Sequence, residues 1–155
     1  MGPHANFSEK YIGTPLADFY ATLLQQLSSL PESQPRPYVL ALATPSQEDP
    51  KDSFTLLLLI MLFFFRHLFN GQYKEIRTIA SVFQKYGEGT PWTLYRVGNL
   101  TNGDRKGVAK AGYVGSGSWK FRTSRVEIAR WVMSQAELEA EERKWVEKMP
   151  AISGL

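Results

Sequence analysis

Two apolar stretches that lie far apart in the sequence constrain the fold of this chain most strongly. Residues 38–43 are continuously apolar and stop at Thr44-Pro45-Ser46, which is typical of a parallel strand covered on both faces. Residues 92–96 have the composition of a second short strand, and mainly helix-forming residues lie between the two. Because parallel neighbours need a long crossover, this order predicts a right-handed βαβ unit, with a ligand site at the carboxyl end of the first strand.

The remaining segments predict helices around a thin sheet of two or three strands. Apolar residues recur at helical spacing after Thr14 and over residues 72–85, and Ser124 with Glu127 has the spacing of a capping box. A chain of 155 residues with 43% hydrophobic side chains is long enough for one self-sufficient core. We therefore expect a single α/β domain over residues 1–155.

An unbroken apolar run over residues 56–65 is followed at once by Arg66 and His67. Since crossing a bilayer takes about 20 apolar residues, we expect a helix buried on most sides and no membrane anchor. The first residues carry no export signal, which favours the cytoplasm. A net charge of +3 is too small to indicate nucleic acid, and the absence of Cys together with two distant His residues predicts no metal site.

Three strings near the carboxyl end of the chain resemble a known family. They are Trp-Thr-Leu-Tyr-Arg-Val-Gly-Asn-Leu-Thr at 92–101, Ser-Arg-Val-Glu-Ile-Ala-Arg-Trp at 124–131 and Trp-Val-Glu-Lys-Met-Pro at 145–150. The family is the atypical short-chain dehydrogenase/reductases, NAD(P)H-binding Rossmann proteins that include biliverdin reductase B and NmrA-like proteins. The resemblance implies a partial Rossmann-like fold, equivalent to the carboxyl-terminal portion of the family's domain.

The resemblance also implies which residues are catalytic. Thr44 and Ser46 stand where a family hydroxyl orients the substrate carbonyl, although Thr, Ser and Pro after a strand are also ordinary turn and cap residues. Tyr73 and Arg77 are similar to the family's Tyr-x-x-x-Lys pair, with arginine in place of lysine. The alternative for this pair is the exposed surface of an amphipathic helix.

The cofactor implied by the resemblance is NAD(P). Its contacts would come from Val97, Gly98, Asn99 and Leu100, where Val97 replaces the family's usual proline, and more weakly from Gly2-Pro3. The sequence contains no G-x-G-x-x-G turn, and the glycines of residues 112–117 have a different spacing. The expectation is therefore a shortened oxidoreductase that lacks the glycine-rich βαβ units, binds NAD(P) poorly and is weak or inactive alone.

Two other functions remain open. A half-sheet leaves the strand at residues 38–43 with an unpaired edge, so the chain could be a non-catalytic protein that forms homo-oligomers or pairs with a partner chain through that edge. It could also be a cofactor-independent isomerase or cyclase that binds a small molecule above Thr44 and Gly98.

Overall fold

The computed structural model describes residues 14–53, 56–68, 70–103, 107–117 and 119–154. Its helices are α1 (Pro15–Ser28), α2 (Leu56–Leu68), α3 (Asn70–Tyr86) and α4 (Arg125–Ala136). Its strands are β1 (Val39–Ala43), β2 (Trp92–Val97), β3 (Asn99–Thr101), β4 (Lys110–Gly112), β5 (Arg122–Ser124) and β6 (Ala151–Ser153).

The main sheet has four strands in the order β1-β2-β6-β4. β1 pairs in parallel with β2 over the full length of β1, with Val39 opposite Trp92 and Ala43 opposite Arg96. β6 extends the sheet in parallel, and β4 closes it in the antiparallel direction. The prediction of an α/β chain with a small, mostly parallel sheet flanked by helices is therefore confirmed.

Two parts of the strand assignment were incomplete. The final strand, β6, was not predicted, so the main sheet has four strands instead of two or three. Residues 99–101, to which no strand was assigned, form β3 and pair in parallel with β5 as a separate two-stranded sheet. The three-residue strands β3, β4, β5 and β6 are too short to show an apolar period in the sequence.

Helices cover both faces of the main sheet. Trp92 and Leu94 of β2 pack in one core cluster with α1 and α3, centred on Phe83. Val97 of β2 lies in a second cluster, together with Trp131 of α4. Tyr95 of β2 also packs against this second cluster. Because successive side chains of a strand point to opposite faces, α4 lies on the side of the sheet opposite α1 and α3.

The amino terminus of α1 is capped by a distant residue. Thr14 occupies the N-cap position, but its side chain makes no capping hydrogen bond. The buried carboxylate of Glu75 in α3 instead accepts hydrogen bonds from the backbone N–H groups of Leu16, at 2.6 Å, and Ala17, at 3.0 Å. One side chain therefore satisfies two otherwise unpaired donors and ties α1 to α3.

The apolar helix α2 is much more exposed than its sequence predicted. Leu58 is buried, and Leu62 and Phe65 are half-buried; Leu58 and Leu62 pack near Val114 and Phe121. The opposite side of the helix faces solvent. The expectation of a helix buried on most sides was wrong, because the neighbouring elements cover only one stripe of it.

Within the ranges described above, no helix combines the length and the hydropathy needed to cross a membrane.

Candidate functional site

A small, mostly apolar pocket of about 160 Å³ lies at the carboxyl ends of β1 and β2. The residues that line it come from four segments: Thr44, Pro45, Ser46, Leu62, Phe65, Val97, Gly98 and Phe121. Ligands of parallel α/β sheets bind at this edge, where the loops diverge from the strand ends. The pocket is therefore the candidate functional site.

The register of the two strands explains why these residues meet. Ala43 at the end of β1 lies opposite Arg96, so the turn that starts at Thr44 lies beside Val97 and Gly98. Leu62 and Phe65 from the inward side of α2 form one wall, and Phe121 forms another. Sequence analysis gave the strand ends correctly but not the contribution of α2, because a run of apolar residues alone does not show which side faces inward.

Thr44 and Ser46 provide the polar part of the pocket. Their hydroxyl oxygens lie 2.5 Å apart in a hydrogen bond, and Ser46 is only 2% exposed. Two hydroxyls carry two protons, and their mutual bond uses one of them. The pair can therefore offer its second proton to an acceptor such as a carbonyl oxygen, with Ser46 held away from bulk water.

Gly98 is required by the close approach of two chain segments. A Cβ atom at this position would lie 2.3 Å from the carbonyl oxygen of Phe121 and 2.8 Å from its ring. The next residue, Asn99, donates its backbone N–H to the same carbonyl at 2.7 Å. A side chain at Gly98 would therefore separate two walls of the pocket.

A buried ion pair supports the loop that follows Ser46. The guanidinium of Arg96 in β2 donates to both carboxylate oxygens of Asp52, at 2.5 and 2.9 Å, and both side chains are completely buried. The same guanidinium donates to the carbonyl oxygens of Gln47, at 2.8 Å, and Met149, at 2.7 Å. The Asp52 carboxylate also accepts from the backbone N–H of Val114 at 2.8 Å. Loop, strand and the approach to β6 are thus joined at one point behind the pocket.

Sequence analysis missed this pair, although a signal was present. Burying an arginine side chain in a strand costs free energy unless an anion neutralises its charge. The presence of Arg96 in β2 therefore predicts a carboxylate partner. The distance of 44 residues between Asp52 and Arg96 in the sequence gave no indication of the contact.

Tyr73 and Arg77 contact each other but do not line the pocket. The Arg77 guanidinium donates to the Tyr73 hydroxyl at 3.2 Å and lies 4.0 Å from the carboxylate of Glu48. The hydrogen bond with Tyr73 raises the pKa of Arg77, which keeps it a cation that cannot exchange a proton with the phenol. On α3, Tyr73 is half-buried and Arg77 is exposed, and both lie outside the pocket lining.

Of the residues that the resemblance implies in cofactor binding, some line the pocket and others do not. Val97 and Gly98 line the pocket, whereas Asn99 and Leu100 belong to β3 and lie outside its lining. Leu100 packs instead beside the cluster around Trp131. Gly2 and Pro3 lie outside the described residues. Among the residues that are described, no three His, Asp or Glu side chains are close enough together to hold a metal ion.

No protein-family model matches this chain, and comparisons with curated proteins and with solved structures also give no match. The resemblance to the atypical short-chain dehydrogenase/reductases therefore stays a prediction from three sequence strings.

Proposed function

We propose that this chain forms the substrate side of an NAD(P)-dependent oxidoreductase fold of the atypical short-chain type, and that it binds a small carbonyl compound in the pocket at Thr44 and Gly98. One observation supports this most strongly. Thr44, Ser46, Val97 and Gly98, which the resemblance implies in substrate and cofactor contacts, line a single pocket at the ends of two parallel strands.

The lining favours an uncharged, largely apolar ligand. It contains no charged side chain, and its polar groups are the two hydroxyls of Thr44 and Ser46 and local backbone. Because a water molecule takes about 30 Å³ in the liquid, the pocket has room for about five or six non-hydrogen atoms. Ligand efficiencies of at most about 1.5 kcal/mol per atom then limit the dissociation constant to about 0.3 μM or weaker.

The residues of the pocket fit a small substrate, but they do not fit a dinucleotide. The pyrophosphate of NAD(P) is ordinarily held by backbone N–H groups of a glycine-rich turn at a helix amino terminus, and this sequence has no G-x-G-x-x-G turn. We therefore expect this chain, on its own, to bind the substrate without carrying out hydride transfer. The chain's contribution is to orient the carbonyl through a hydroxyl and to exclude water from it.

Ligand-observed NMR with cyclopentanone as the probe tests the substrate site. We expect saturation transfer to cyclopentanone but not to acetate, and a severalfold loss of affinity in the Ser46→Ala variant. Ser134→Ala is the control, because it removes the same hydroxyl from a half-buried site outside the pocket, where Ser134 donates to the backbone carbonyl of Trp131 in α4. Equal binding of ketone and acetate, or no difference between the two variants, would contradict the proposal.

Titration with NADPH, followed by nicotinamide fluorescence, tests the expectation for the cofactor. Binding should be absent or confined to millimolar concentrations. Saturation at micromolar NADPH would show that groups other than a glycine-rich turn hold the phosphates, and it would contradict the expectation.

The edge of β1 favours a second candidate, a non-catalytic pairing function. The N–H of Val39 donates to the carbonyl of Pro91, the residue before β2, so by alternation the backbone groups of Leu40 and Leu42 point away from β2. The Leu42 side chain is 48% exposed. An outward strand edge beside an apolar side chain invites a further strand. Sedimentation of the wild type and of Leu42→Lys separates this candidate from the first, since only pairing predicts a dimer that the variant dissociates.

A further inference from the structure

The outward side of α2 is a large apolar surface. Its side chains are 46 to 74% exposed, and they are Leu56, Leu59, Ile60, Phe63, Phe64 and Leu68. With about 200 Å² for a fully exposed side chain of this size, the surface amounts to roughly 700 Å². The largest apolar patch of a typical monomer is about 300 to 600 Å² and is often functional. We name this surface the α2 face. Its size indicates a binding surface for a partner.

The charged residues along this segment have a single sign. Residues 53–74 contain the cations Arg66 and Lys74 and the imidazole of His67, but no Asp or Glu. The carboxylates that border the segment are both buried and already bonded, Asp52 to Arg96 and Glu75 to the start of α1. Arg66 and His67 are exposed in the last turn of α2, next to Leu68. The α2 face thus combines aromatic and aliphatic side chains with the Arg66 cation and the His67 imidazole at one end.

The length of α2 determines how it could meet a lipid. Thirteen helical residues extend about 20 Å, whereas the hydrocarbon core of a bilayer is about 30 Å thick. A helix of this length, held to the protein by Leu58, Leu62 and Phe65 on its inner side, can lie in the interface with its outer side chains among the acyl chains. We propose that the α2 face binds peripherally to a membrane surface rich in anionic lipid, with Arg66 and His67 at the headgroups. The length of the apolar run excluded only a span across the bilayer, not this form of contact.

A second copy of the chain fits the same face less well. In a two-fold pair of antiparallel helices, Arg66 and His67 would lie at the amino terminus of the partner helix, which carries partial positive charge. No carboxylate of residues 53–74 could compensate. Anionic headgroups supply the missing negative charge and attract Arg66 to the membrane surface.

Co-sedimentation with vesicles tests the proposal on the full chain. One vesicle is pure phosphatidylcholine, and the other contains about one-third phosphatidylserine. The test variant is Phe63→Ser with Phe64→Ser, both exposed on the α2 face. The matched control is Met133→Ser, because Met133 is 62% exposed on α4, on the other side of the sheet.

We expect binding to the phosphatidylserine vesicles only, weakened when ionic strength rises from about 0.1 M to about 1 M and the Debye length falls from about 10 to about 3 Å. The double variant should lower the partition coefficient at least tenfold, and Met133→Ser should leave it unchanged. The proposal is overturned if the protein binds neither vesicle, if it binds both equally, or if the double variant binds as the wild type does. It is also overturned if sedimentation shows a dimer that the double variant dissociates, because the occupant is then a second copy.

Discussion

Replacing Asp52 by Asn is the sharpest test of how the pocket loop is held. Each carboxylate oxygen of Asp52 accepts two hydrogen bonds, one from Arg96 and one from a backbone N–H. An asparagine has only one acceptor oxygen. Whichever way its amide turns, two donors then face an NH₂ group, and the Arg96 charge loses its counter-ion inside the protein.

The expected cost follows from the complete burial of both side chains. Leaving each of two buried donors unpaired costs about 1 to 3 kcal/mol, and breaking a buried ion pair by removing one partner costs about 3 to 5 kcal/mol. We expect the free energy of unfolding to fall by about 3 to 5 kcal/mol. With a urea m-value near 2 kcal/mol/M, the midpoint of unfolding should fall by about 1.5 to 2.5 M, as measured by circular dichroism.

Glu48→Gln makes the same chemical change at an exposed ion pair. Glu48 lies 4.0 Å from Arg77, and both side chains are about half exposed or more. Because such surface pairs contribute less than about 1 kcal/mol, this variant should unfold nearly as the wild type does. Similar small effects from both substitutions would refute the claim that the Arg96–Asp52 pair fixes the loop.

Three further predictions concern the helix cap, the pocket and the response to alkaline pH. Glu75→Ala should lower the free energy of unfolding by about 1 to 3 kcal/mol, because it leaves one buried and one partly buried N–H group at the start of α1 without this acceptor; urea unfolding measures this. Gly98→Ala should cost about 1 to 3 kcal/mol and weaken cyclopentanone binding, because its Cβ would overlap Phe121, whereas Gly117→Ala, which has open space, should do neither. Burial raises the pKa of Tyr95, so the unfolded state, with a pKa near 10.0, loses its phenolic proton first as pH rises. The stability that this neutral phenol contributes should be complete below pH 10 and should be lost as pH rises through the raised pKa. In urea unfolding between pH 9 and pH 11, the free energy of unfolding of Tyr95→Phe should therefore decrease less with pH than that of the wild type. An equal decrease in the two proteins would disprove this prediction.

The parts of the fold that were predictable from sequence are those with a long local pattern. β1 is a continuous apolar segment, and the capping box of Ser124 and Glu127 is present as predicted. β6 and β3 have only three residues each, and they become strands because β2 and β5 lie beside them. Contacts of that kind are tertiary, so no local pattern reports them.

The candidate site was predictable to the same extent. Thr44 and Ser46 could be placed at a strand end, since the strand itself was recognisable and its carboxyl end is where α/β sheets bind ligands. The wall formed by Leu62 and Phe65 could not be predicted, because every residue from 56 to 65 is apolar and no polar position marks the outer side. The ion pair between Asp52 and Arg96 could not be predicted either, because the sequence does not show which carboxylate lies next to β2.

The substrate site and the lipid surface depend on opposite sides of one helix, so they can fail separately. Leu62 and Phe65 face the pocket, whereas Phe63 and Phe64 face outward. If α2 is a rigid element anchored at Leu58, serine at Phe63 and Phe64 should abolish vesicle binding and leave cyclopentanone binding intact, and Ser46→Ala should do the reverse. Loss of both vesicle binding and cyclopentanone binding in either variant would mean that α2 rearranges as a whole. In a fixed helix, a substitution on one face does not change the contacts made by the opposite face.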